Sequence, residues 1–153
     1  MKTMRAKVIA GTILSAFVTL AIAPAAYART VGAWAGNPLT SSRSACYSES
    51  AGAVQSTIAT GCSGEWEVNL PIDASGSFTV TFTAKNNAGA IGTVSCAAFA
   101  VAPNGTYTST SNVAASTTSF ATYSLSSISV TSGGNLYIAC FGLGQGTVGT
   151  IGW

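Results

Sequence analysis

Glu65 and Glu67 stand two residues apart in the stretch Glu65-Trp66-Glu67-Val68-Asn69-Leu70. On an extended chain that spacing puts both carboxyls on one face, about 6.6 Å apart, near the separation at which an inverting glycosidase admits its water. A catalytic pair approaches the scissile bond from opposite sides, whereas these two project in parallel. Glycoside hydrolysis is therefore a minor reading, and a solvated strand face is the main one. Other nucleophilic chemistry fails on residue type. With no histidine there is neither a Ser-His-Asp triad nor a Cys-His pair. Lys85 is the one lysine beyond residue 28, and the serine of a Ser-x-x-Lys motif would fall at position 82, which is Phe82. Asp73 lies in the turn-forming run Asp73-Ala74-Ser75-Gly76 without the spaced acids of a calcium loop. No catalytic residue, metal site or cofactor is expected.

Cys46, Cys62, Cys96 and Cys140 have no C-x-x-C spacing and no histidine to complete a zinc site. An even count in an exported chain reads as two disulfides. Cys46–Cys62 and Cys96–Cys140 are the expected pairs, because the first flanks a short segment and the second lies inside two strand-like runs.

Binding chemistry rests on the aromatics, whose apolar faces stack on sugar rings. Trp66 alternates into the core. Trp34, Tyr107 and Trp153 lie outside the clear alternating runs and are the ligand-binding candidates. Asn104-Gly105-Thr106 has the form of an N-glycosylation acceptor, although a Pro-Asn-Gly turn explains the same residues.

The ends and the charge narrow the partners. Residues 1–28 combine a basic start (Lys2, Arg5, Lys7), an apolar run over 8–22 and the small-x-small site Ala26-Tyr27-Ala28, the layout of a secretory signal. Residues 29–153 then form a single domain, secreted to the extracellular space or periplasm. That part carries Arg29, Arg43 and Lys85 against Glu49, Glu65, Glu67 and Asp73, a net charge of −1. It has no basic patch for phosphates, so nucleic acid is excluded as a partner. Neither a second apolar helical run nor the pattern of an outer-membrane barrel is present, so membrane insertion is not expected. The same residues contain 36 serines and threonines, so the surface is wetted by hydroxyls and suits neutral partners.

These residues must be positioned by strands. Residues 65–70 and 77–84 alternate with period two. Residues 91–101 are apolar on both faces and read as a covered central strand. Residues 107–113, 119–130 and 136–143 are further candidates, the second split or bulged near Ser126-Ser127, with weaker ones at 31–34 and 54–60. Residues 36–50 read as a loop tied down by Cys46. Gly144-Gln145-Gly146 reads as a hairpin loop that returns residues 147–153 as a strand, with Thr147, Gly149, Ile151 and Trp153 on one face. Eight or nine short strands without a helix predict an all-β, two-sheet β-sandwich of jelly-roll or immunoglobulin-like type with two disulfides.

The expected function is a secreted, non-enzymatic interaction module, acting in surface adhesion or as a self-assembling structural protein through self-association. The alternative is a lectin-like carbohydrate-binding sandwich with a neutral extracellular partner such as a glycan. Convergence of Trp34, Tyr107 and Trp153 on one concave face would favour glycan binding; dispersed aromatics and an open, hydroxyl-rich edge strand would favour assembly.

Overall fold

The computed structural model describes residues 29–39, 46–56 and 65–153. The expected signal at 1–28, together with Arg43 and Cys62, lies outside them. The described strands are β1 (Thr30–Gly32), β2 (Asn37–Pro38), β3 (Tyr47–Ser50), β4 (Ala53–Ser56), β5 (Trp66–Leu70), β6 (Gly76–Phe78) and β7 (Thr81–Asn86). They continue as β8 (Ser95–Val101), β9 (Tyr107–Ser109), β10 (Val113–Ala114), β11 (Ala121–Ser124), β12 (Ile128–Val130), β13 (Asn135–Phe141) and β14 (Gly146–Gly152).

Two antiparallel sheets form the expected sandwich. The first runs β11-β7-β14-β4-β3, with β1 also on β14; the second runs β10-β8-β13-β5-β2, with β9 also on β8. A two-stranded ribbon, β12-β6, accompanies them. Phe82 and Val54, with Val148 and Ile151 on either side of an irregularity in β14, point from the first sheet against Val68, Leu136 and Ile138 from the second, and all of them are buried. Trp66 is in this core as its alternation requires. Its indole N–H donates to the Ala33 carbonyl at 2.8 Å and its ring lies 4.9 Å from that of Tyr47, so the one polar atom of a buried ring is satisfied.

Cys96 and Cys140 face each other in the β8–β13 register and are disulfide-bonded with Cα atoms 4.1 Å apart. The bridge joins neighbouring strands of one sheet rather than the two sheets. It is the one complete disulfide among the described residues, where two were expected. Cys46 is also disulfide-bonded, and the expected partner Cys62 lies outside the described residues.

Among the described residues fourteen strands replace the eight or nine expected, because partners change where periodicity does not. Residues 77–84 alternate without interruption, yet β6 pairs with β12 and β7 with β11. The chain passes between them at Thr79-Val80, where the Val80 carbonyl accepts from the Leu125 N–H at 2.9 Å. Residues 119–130 divide into β11 and β12 as anticipated. Ile91, expected in a covered strand, is fully exposed; β8 begins only at Ser95, after a turn in which the Ala90 N–H donates to the Asn87 carbonyl.

The largest correction falls at Gly144-Gln145-Gly146. No hairpin forms there. Residues Leu143–Gln145 make a 3-10 turn that carries the chain out of β13 in the second sheet into β14, a central strand of the first. A register shift between Val148 and Ile151 then places both inward, where strict alternation put them on opposite faces.

Candidate functional site

The outer face of the first sheet carries a groove of about 350 Å³. Its floor comes from three strands, from alternate residues Thr83 and Lys85 on β7, from Thr147, Gly149 and Thr150 on the irregular β14, and from Gln55 on β4. The inward partners of these residues fill the core, so the hydroxyl- and amide-bearing face is fixed by packing beneath it. The Thr83 hydroxyl accepts from the Thr150 N–H at 2.8 Å and lies 3.1 Å from the Thr150 hydroxyl. The Thr147 hydroxyl donates to the Gln55 amide oxygen at 3.3 Å, and the Gln55 amide carries two further N–H donors. Gly149 sits in the irregular part of β14, and a Cβ there would meet the Thr83 Oγ1 at 2.6 Å.

Phe120 forms one wall. It precedes β11, is 51% exposed, and stands with the Lys85 ammonium 5.1 Å from its ring centroid, a cation–π contact that holds both groups at the rim. The other wall is the β3–β4 hairpin, whose two-residue turn Ala51-Gly52 takes positive φ at both positions, 49° and 83°. Glycine adopts that conformation freely. Ala51 does so at a cost of about 1 kcal/mol.

The turn residues 50–52 are shared with a second hollow of about 250 Å³, which Trp34 and Glu49 also line. Trp34 stands in the 3-10 turn Ala33–Ala35, pinned by the fully buried Ala33. Its indole is 53% exposed and lies over Gly32 and Gly52, at both of which a Cβ would come within 4 Å of the ring. Two hollows thus adjoin the same hairpin turn, one with Trp34 and a carboxylate, the other with Phe120, an ammonium, hydroxyls and one amide.

Trp34 is the one sequence candidate at these two hollows. Tyr107 is 69% exposed on the outer face of the second sheet, its ring centroid 6.4 Å from that of Phe99. Trp153 packs half-buried against the core, its indole N–H donating to the Pro71 carbonyl at 3.0 Å. It lies near Arg29, which forms an ion pair with Asp73. The three candidates are therefore dispersed. Phe120 was missed because Ser119 and Phe120 read as the start of a long strand. Asn104 lies in an exposed turn in which its side-chain oxygen accepts from the N–H and hydroxyl of Thr106.

Glu65 and Glu67 also lie away from the groove, at the outer face of the second sheet. Burial, and then the Glu67 charge, push the Glu65 carboxyl above the ordinary glutamate range. Among the described residues no group of three or more His, Cys, Asp or Glu side chains could hold a metal ion, and no helix is long and apolar enough to cross a membrane.

No protein-family model and no curated protein matches this sequence. Solved structures do. A point mutant of the family 29 carbohydrate-binding module CBM29-2 aligns at 14% identity with a TM-score of 0.46, covering 80% of this chain and 82% of that one. The C-terminal CBM6 of LamC, a marine laminarinase from Zobellia galactanivorans, aligns at 10% identity over 82% of this chain and 97% of that one, and its TM-score of 0.50 shows a similar β-sandwich fold.

Proposed function

We propose that this chain is a secreted, non-catalytic carbohydrate-binding β-sandwich that takes a saccharide chain in the groove between Trp34 and Phe120. The observation that carries the reading is two half-exposed aromatic rings in two hollows that share the turn residues 50–52, one of them floored by hydroxyls and an amide. Rings bind the apolar faces of pyranoses, and the floor exchanges hydrogen bonds with their hydroxyls. The sandwich likeness to the laminarinase module supports it, since that neighbour is named as a carbohydrate-binding module. The absence of Glu65 and Glu67 from the groove speaks against their acting as a glycosidase pair.

This reading replaces adhesion or self-assembly as the first choice. Dispersal of Trp34, Tyr107 and Trp153 favoured assembly on the criterion drawn from sequence, but Phe120 supplies the second groove aromatic that the criterion lacked. The edge strand β3 also exposes Glu49, a charge that hinders strand addition.

Calorimetric titration with laminarin, cellohexaose and mannohexaose tests the proposal. About half of the Trp34 surface remains to be covered, and stacking on one face of it is worth roughly 1.5 kcal/mol or more. Trp34→Ala and Phe120→Ala should each weaken binding about tenfold. Saccharide binding unaffected by either substitution, or absent from the unsubstituted protein, refutes the groove.

A further inference from the structure

The second sheet presents a different chemistry on its outer face. The β9–β8–β13–β5 register places Ser109, Phe99, Tyr137 and Asn69 in one row, with Tyr107 opposite Val101 in the next. Phe99 and Tyr137 stack with ring centroids 5.0 Å apart at 9°, and Tyr107 extends the strip from the Phe99 side. Beyond Tyr137 the strip meets carboxylates, since Glu67 lies diagonally across the β13–β5 pair and Glu65 shares its face. Their charges reach the rings: burial first, then Glu67 and Glu65, raise the Tyr137 hydroxyl above the ordinary tyrosine range. No described cation balances them. Arg29 is paired with Asp73, and Lys85 stands over Phe120 on the other sheet.

We propose that this face is a second, separate binding surface for a saccharide chain bearing free amino groups, with Tyr107 stacking on its rings beside the Phe99–Tyr137 stack and Glu65 and Glu67 receiving its ammonium groups. Aromatic faces attract cations through the ring quadrupole, and a carboxylate beside them adds a charge-assisted hydrogen bond. An ammonium also relieves the repulsion between the two carboxylates. An acidic saccharide meets the opposite field. Self-pairing of this face would bury its carboxylates without a counter-charge, which is unfavourable. The proposal extends the carbohydrate reading to a surface on the opposite sheet from the groove, so one molecule could hold two chains at once.

The test uses the Trp34→Ala/Phe120→Ala protein, in which the groove is disabled, with glucosamine hexamer and its fully N-acetylated counterpart as probes. The glucosamine hexamer should still bind, about tenfold more tightly than the N-acetylated one, and should lose about tenfold on Tyr107→Ala and again on Glu67→Gln. Tyr107 is exposed, and a thermal melt confirms that each variant is folded. Equal binding of the two hexamers, or indifference to both substitutions, overturns the proposal. If neutral glycans bind the groove of the unsubstituted protein while the glucosamine hexamer binds nowhere, the second surface falls and the groove stands; the converse pattern separates them the other way. A concentration-dependent dimer abolished by Tyr107→Ala, without response to the hexamer, would make the face a self-association surface instead.

Discussion

Replacing both Cys96 and Cys140 by alanine should cost the fold about 5 kcal/mol while leaving the groove intact. The two cysteines are 44 residues apart in sequence and already adjacent through the β8–β13 ladder. The ladder holds them together in the folded state, so the bond acts mainly on the unfolded chain. Closing a loop of that length removes about 4 kcal/mol of unfolded-state entropy on the chain-entropy account. Both sulfurs are buried, and their loss adds roughly 1 kcal/mol of missing packing. At about 4 °C per kcal/mol for a chain of this size, Tm should fall by about 20 °C. The same loss should lower the urea midpoint by about 2–3 M. Reduction of the natural protein is not equivalent, because Cys46 is disulfide-bonded as well. Calorimetric melts and urea titrations of the double variant, with saccharide titration at low temperature as a functional control, provide the assay. A loss below about 2 kcal/mol would refute the loop-entropy reasoning. Lost binding in a folded variant would mean that the bridge shapes the opposite sheet as well.

Glu65→Gln should raise Tm at neutral pH. The folded-state pKa of Glu65 is raised by burial and by Glu67, so its ionised form opposes folding above that pKa, and the penalty disappears as the pH falls below the unfolded value. The gain should therefore vanish in acid; a Tm difference that grows toward low pH would contradict it. Gly146→Ala should destabilise by about 2 kcal/mol or more, since a Cβ at Gly146 would lie 2.2 Å from the Lys85 carbonyl oxygen. A melt indistinguishable from the natural protein would show that β14 can step away from β7.

Alternation made the core legible. Trp66, Val68, Val80 and Phe82 fall on the inward face by alternation and are buried, because a period of two maps directly onto the two faces of a strand. Pairing partners were not legible. Thr79-Val80 keeps the pattern while the chain changes sheets, and the irregularity between Val148 and Ile151 turns both residues inward. Of the groove, Trp34 was found because it falls outside any alternating run, whereas Phe120 is indistinguishable in sequence from the first residue of a strand. Phe99 and Tyr137 were hidden for a related reason. They sit in runs apolar on both faces, where nothing marks which ring points outward. Their juxtaposition is a product of cross-strand register, set by residues about forty positions apart.

The placement of β14 bears on the order in which this protein can fold. Its partners are β1, β4 and β7, with Gly152 beside Thr30 and Ile151 beside Phe82. The first sheet is therefore three unconnected pieces, β1, β3-β4 and β7-β11, until the 146–152 segment arrives between them. A chain synthesised or translocated from its amino end can pair β8 with β13 and close the disulfide beforehand, yet the groove has no floor until β14 docks. Saccharide-binding competence should thus appear in the last cooperative step, and partly synthesised chains should hold the second sheet's ladder without the site. Topologies dominated by such distant pairings fold slowly, and the apolar face on which β14 settles is completed only when that last strand docks.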